Sequence, residues 1–114
     1  MKNGSAVKAF EEAFAQYVGA KFAIALSSGT STLHTALVAC GVRPGDRVAV
    51  PPLTMASTSI AVLHARAVPE FVDVDPDTWL MREAPPDVRA MLGVSLYGLR
   101  WQGVIPTNLG NISP

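Results

Sequence analysis

Disulfides are the first thing this sequence rules out. It holds one cysteine, Cys40, in 114 residues, so no intrachain bridge can form, and that residue sits in an apolar helical pattern that suits a reduced, cytoplasmic protein. Charge of one sign is lacking too: nine Lys and Arg balance nine Asp and Glu. The strong positive field of a nucleic-acid or anionic-membrane binder is therefore missing, and a polynucleotide partner is disfavoured. No apolar run reaches the roughly 18 to 20 residues needed to cross a bilayer. The start, Met1-Lys2-Asn3-Gly4-Ser5, has none of the apolar core of a secretory signal. With no internal repeat and no low-complexity segment either, the expectation is one soluble, cytoplasmic unit with no membrane or nucleic-acid partner.

What is there is apolar. Apolar residues make up 49% of the chain, enough to build a core in a unit of about 100 to 150 residues. The mean hydropathy of +0.29 is high for a small free-standing domain, because elements buried on both faces read as continuously apolar. It points to a part of something larger.

Val7, Phe10, Phe14, Tyr17 and Val18 recur at three-and-four spacing, which predicts a helix over 5–18 with that face toward a core and Gly19 as its stop. The run FAIAL at 22–26 is short and uncharged and reads as a buried strand. Leu33, Ala36, Leu37 and Cys40 predict a second helix, ended by Gly41 and the Pro44-Gly45 turn. Strands follow at Arg47–Val50, closed by Pro51-Pro52, at 68–74 (VPEFVDV) and at 89–96 (RAMLGVSL), with a third helix over about 54–66 between the first two. Strand, helix, strand, helix, strand is the order of a doubly wound α/β sheet with right-handed crossovers. The last stretch, 99–114, shows no period.

Between the first strand and the second helix stands Ser27-Ser28-Gly29-Thr30-Ser31. Unpaired amides and the positive end of the helix dipole meet at a helix start, hydroxyls add donors, and a residue without Cβ lets an anion come close. Such a turn at the carboxyl end of a strand suits a phosphate. It equally suits a plain cap, with Ser28 or Thr30 serving the helix alone. It is neither a Walker A loop nor the three-glycine dinucleotide fingerprint.

Over the longer span 10–79, from "FEEAFAQYVGAKFAIALSSGTS" to "FVDVDPDTW", the sequence resembles the N-terminal part of the DegT/DnrJ/EryC1/StrS family of pyridoxal-phosphate-dependent sugar aminotransferases, nearly gap-free across three elements and their turns. "GVSLYG" at 93–98 is similar to the family's later strand ending in Tyr-Gly. The resemblance implies an α/β fold, a partial fold-type-I aminotransferase large domain of three layers with a mostly parallel sheet flanked by helices, truncated. Residues 1–98 would be its N-terminal part and 99–114 an irregular tail. It also implies a homodimer with shared active sites, transferring an amino group from an amino acid to a nucleotide-linked keto-sugar. Its cofactor would be pyridoxal 5'-phosphate, bound through Gly29, Thr30 and Ser31, with Thr30 and Ser31 as phosphate donors. Where many members place an aromatic residue against the cofactor ring, this chain has Met55, whose thioether covers a ring less rigidly.

The family's Schiff-base lysine, and the aspartate that pairs with the pyridine nitrogen, lie further along than this chain extends. The only lysines are Lys2, Lys8 and Lys21, all before the turn, and Lys21 reads as an exposed charge. No catalytic residue is therefore expected here, and the chain alone is expected to be inactive. A partly built sheet would also leave an apolar face and an unpaired edge exposed, favouring association.

Two other classes of function are open to these residues. One is a non-catalytic α/β module that binds a phosphorylated ligand or a partner chain. The other is a metal-dependent nucleotide-sugar binder using Asp73 and Asp75 of "DVDPDTW"; an EF-hand is excluded, since Thr78 stands where its Gly belongs and Ala84 where its last Glu belongs. Asp before Pro at a strand exit more often serves a turn, and no metal ligand is expected. His34 and His64 have no ligand partner at useful spacing and read as packing or surface residues, and no Ser–His–Asp set follows from Ser27, Ser28 or Ser31. Trp79 and Trp101 read as packing residues.

Overall fold

The computed structural model describes residues 4–102. Helix α1 spans Gly4–Val18, α2 Gly29–Ala39 and α3 Ser57–His64, while strands β1 Arg47–Val50, β2 Val68–Phe71 and β3 Ala90–Met91 form one sheet. The order is β2-β1-β3, and both pairings are parallel. The architecture is α/β, as expected. Among the described residues no helix is long and apolar enough to cross a membrane. Of the tail expected over 99–114, residues 103–114 lie outside the described residues, as does Lys2.

β1 organises the rest. Side chains alternate across a strand, so Val48 and Val50 face one side and Ala49 the other, and all three are 0% exposed. On the first face they meet Leu37 of α2, Ala61 and Val62 of α3 with its C-cap Ala65, and Val42 and Ala67. On the second, Ala49 meets Val72, Met81 and Val88, with Trp101 packed against them. The strand ends at Pro51, which has no N–H to continue a ladder. At its other end the Arg47 guanidinium bonds Glu70 of β2 and Asp87 ahead of β3. Those two bonds, Glu70 first, raise its pKa above the ordinary value.

Four expectations are corrected. The run at 22–26 is not a strand: no partner strand lies beside it among the described residues, Phe22 and Ile24 are both 75% exposed, and the Ala25 amide donates to the Glu11 carboxylate at 2.7 Å. The regular pattern therefore starts with helices, not a strand. Second, α1 ends before Gly19 (φ +70°) as expected, but its apolar stripe meets no core. Phe10 is 59% and Phe14 46% exposed, their rings stack on each other at 5.8 Å, and Ala15 alone of the helix is buried.

Third, the later strands are shorter than predicted. β2 stops at Phe71, after which Val72 gives one more amide to Val50 and the chain turns into a hairpin closed by Val74 and Met81. β3 keeps two residues before the 3-10 turn Leu96–Gly98. β2 matches the four residues of β1 one for one and stops with it, whereas β3 pairs only with Val48 and Ala49. α3 likewise begins at Ser57 and not near Thr54, since residues 51–56 form the bend leaving β1. Fourth, Cys40 is an exposed C-cap outside the apolar pattern, and Trp79, at the hairpin tip with φ +62°, is half exposed. Trp101 does pack: its indole N–H donates to the Met81 carbonyl at 2.7 Å.

The expected turn role of the aspartates is present at Asp75. Its Oδ1 accepts the Thr78 amide at 2.9 Å, the Asp77 amide at 3.0 Å and the Thr78 hydroxyl at 3.1 Å. These bonds, the Thr78 amide first, hold its carboxyl below the usual carboxylate range.

Two predictions follow from this packing. The Trp101 ring lies 2.5 Å from where a Cβ on Gly93 would sit, so Gly93→Ala should displace the indole, cost about 1–3 kcal/mol in denaturant melts, and red-shift the tryptophan emission. An unshifted spectrum with unchanged stability would show that the ring does not press on the glycine. Because the folded pKa of Asp75 lies below its unfolded one, its contribution is fully present at neutral pH and is lost as pH falls through the depressed folded value. Thermal melts should therefore show wild type losing its advantage over Asp75→Asn across the acid range and not on the alkaline side.

Candidate functional site

The start of α2 is where hydroxyls and free amides converge. Ser28 is extended (φ −160°, ψ 161°) and caps the helix, its Oγ accepting the Ser31 amide at 3.2 Å. The Ser28 carbonyl takes the Thr32 amide at 3.0 Å and the Thr32 hydroxyl at 3.1 Å. A helix start leaves four N–H groups unpaired. Here Ser31's is satisfied, and those of Gly29 and Thr30 have no hydrogen-bond partner among the described residues.

The hydroxyls divide in the same way. Ser31 Oγ lies 3.0 Å from Ser28 Oγ and 3.3 Å from Ser27 Oγ, a three-serine chain. The Thr30 hydroxyl has no such partner among the described residues. Ser27 is the participant that sequence reasoning passed over, and its four-residue separation from Ser31 is the signal that could have found it. No imidazole bonds any of these serines.

Gly29 needs a separate explanation. Its φ is not in the left-handed region, and a Cβ built on it meets nothing within 4 Å. Neither backbone geometry nor packing within the chain calls for glycine there. A side chain there would enter open space. The first turn of α2 also holds no acidic residue, so the positive end of the helix dipole is not neutralised from within.

The fold sets where this turn lies. α2 is joined at its far end through a short turn to the start of β1, and Leu33 and Leu37 pack into the core around Val48 and Val50. A helix so connected runs back along the strand, which carries its first turn toward the carboxyl end of β1. Ligands of open α/β sheets bind at that end. The chain leaving β1 there carries Met55, 76% exposed, whose carbonyl accepts the Thr58 amide at 3.1 Å; no hydrogen bond ties Met55 to the turn.

The described lysines stand elsewhere. Lys8 pairs loosely with Glu12 at 3.9 Å on exposed α1, and Lys21 lies over the Phe22 ring at 5.4 Å. One encounter was invisible in the spacing: His34 of α2 and His64 of α3 meet edge to face, ring centres 5.9 Å apart, because the two helices pack together. Asp73 accepts the Val74 amide at 2.8 Å, and no group of three metal-type ligands forms among the described residues.

A parallel sheet flanked by helices, with a capped helix start toward its carboxyl edge, defines an α/β unit, and the solved structures similar to it are fold-type-I aminotransferases. The chain belongs to the DegT/DnrJ/EryC1/StrS aminotransferase family, whose model matches residues 1–99. Aminotransferases of this family depend on pyridoxal phosphate. The chain is 44% identical over 101 residues to GDP-perosamine synthase of Caulobacter vibrioides, covering 83% of this chain and 27% of that protein. A family aminotransferase from Brucella abortus superposes with a TM-score of 0.76 at 32% identity, covering 88% of this chain and 30% of that one. The pyridoxal-phosphate form of a sugar aminotransferase from Streptococcus pneumoniae superposes with a TM-score of 0.77 at 27% identity, covering 83% and 26%. The chain thus spans about a quarter of the length of the relatives it matches.

Removing the cap tests how the turn is held. Ser28→Ala should cost about 1 kcal/mol in denaturant melts, within the range of roughly 0.5 to 2 for such caps. Stability unchanged from wild type would mean that Ser27 and the backbone hold the turn without Ser28.

Proposed function

We propose that this chain is the N-terminal part of a pyridoxal-phosphate-dependent aminotransferase acting on nucleotide-linked keto-sugars. Residues 1–98 belong to its large domain, 99–114 form a tail, and the whole enzyme is a homodimer. The observation that carries this reading is the pair of unpartnered amides at Gly29 and Thr30, with the free Thr30 hydroxyl beside them, in a chain of this family. An anionic phosphate fits that donor set. Gly29 admits it closely, Thr30 donates from amide and hydroxyl, and Ser31, held by Ser27 and Ser28, turns one hydroxyl toward it. Met55 covers a face of the ring.

The bound cofactor supplies the electron sink that transamination needs. The chain's own residues bind and orient its phosphate end. None of Lys2, Lys8 and Lys21 is the lysine that links the cofactor. By itself the chain binds and does not catalyse.

Titrating tag-free protein with pyridoxal phosphate, with inorganic phosphate as competitor, tests this. Wild type should bind saturably and competitively. Thr30→Ala removes a bond to a charged group worth about 1.5–3 kcal/mol, a loss of roughly tenfold or more. Gly29→Val should abolish binding while leaving the melt unchanged, since its side chain enters empty space. Binding that ignores both substitutions would refute the phosphate assignment. Borohydride trapping of the cofactor on Lys21, competed by phosphate, would refute the lysine assignment.

A further inference from the structure

We propose that His34 and His64 form a two-imidazole site for a borderline divalent transition-metal cation, Zn²⁺, Ni²⁺ or Cu²⁺, bridging α2 and α3. It lies apart from the helix start described above and does not depend on it. The two rings come from different helices, and no hydrogen bond or ion pair engages either ring among the described residues. A neutral imidazole keeps one ring nitrogen as an acceptor, and His34 is half-buried and His64 exposed.

The separation suits one shared ion. With a metal–nitrogen distance of about 2.0–2.1 Å, an ion sits roughly 3.2 Å from each ring centre, so two rings on one ion have centres about 5.2 Å apart at a tetrahedral angle and at most about 6.4 Å. The observed 5.9 Å lies inside that span. Rotation about the side-chain bonds then turns the edge-to-face pair so that one nitrogen of each faces the ion. His64 stands in the last turn of α3, where the carbonyl end of the helix favours a cation. Imidazole selects zinc, nickel and copper over magnesium and calcium, which take oxygen. No third His, Cys, Asp or Glu joins the pair among the described residues, so water fills the remaining positions.

The test uses tag-free protein and Zn²⁺ alone, by equilibrium dialysis and thermal melts, with Cu²⁺ for electron paramagnetic resonance. One Zn²⁺ per chain should bind and raise the melting temperature, chelator should reverse it, and Mg²⁺ should do nothing. His34→Gln and His64→Gln should each weaken binding by an order of magnitude or more. The copper spectrum should show two nitrogen ligands in wild type and one in either variant. His64 is exposed, so His64→Gln leaves the fold intact and decides the matter even if His34→Gln does not fold. Absence of saturable Zn²⁺ binding, or binding that His64→Gln leaves unchanged, would overturn the proposal.

Discussion

Three consecutive side chains of β1 must be kept from water on both faces of the sheet, and the other elements are disposed to do it. Burying one valine completely contributes about 1.5–3 kcal/mol, and Val48 and Val50 both reach 0% exposure. Leu37, Ala61 and Val62 supply the cover on one face; Val72, Met81 and Val88 supply it on the other. Charge is kept to the open end, where Arg47 gathers Glu70 and Asp87 from the two neighbouring segments. The other end closes on Pro51, and β2, paired with β1 residue for residue, stops with it.

The same burial fixes the site. α2 and α3 are held by the face they share with β1, so the first turn of α2 and the bend before α3 are presented by rigid supports, although both are themselves exposed. Loops placed this way carry function because their backbone groups stay available. α1 and the run 22–26 have no such anchorage. Their link to each other is the Glu11 carboxylate on the Ala25 amide, and Phe10, Phe14, Phe22 and Ile24 together leave far more apolar surface to water than isolated exposed residues would.

Whatever was local was legible in the residues. The α1 stop at Gly19, the β1 span between charged Arg47 and Pro51, and the helix opened by Ser28 all come from short-range rules of capping, proline geometry and period. What failed was pairing and environment. FAIAL has the composition of a buried strand, but a strand exists only against a neighbour, and the Phe10 stripe has core spacing with no core beside it. The length of β2 matches that of β1, which its own segment does not encode. Gly93 beneath Trp101, and His34 beside His64, are contacts across turns of chain that no spacing displays. At the site, the cap and the phosphate turn could not be ranked by residue type, since both want hydroxyls and a helix start.

On the proposed reading those two roles fall largely on different residues. Ser28 spends its hydroxyl and carbonyl on the helix and on Ser31, so a cap accounts for it, while Ser31 gives its amide to that cap and its hydroxyl stands at the shared edge of both roles. Gly29 and Thr30 keep two amides and one hydroxyl without a partner among the described residues, and a Cβ on Gly29 would meet nothing within 4 Å. Helix stability gives no reason for glycine at that position, since alanine is the better helix former by up to about 1 kcal/mol. A close-approaching anion does give one, because it needs the amides bare and the Cβ gone. The cap reading and the phosphate reading are thus not rivals for one turn. On the proposed reading the first holds the helix start, and the second uses the donors that the cap leaves free.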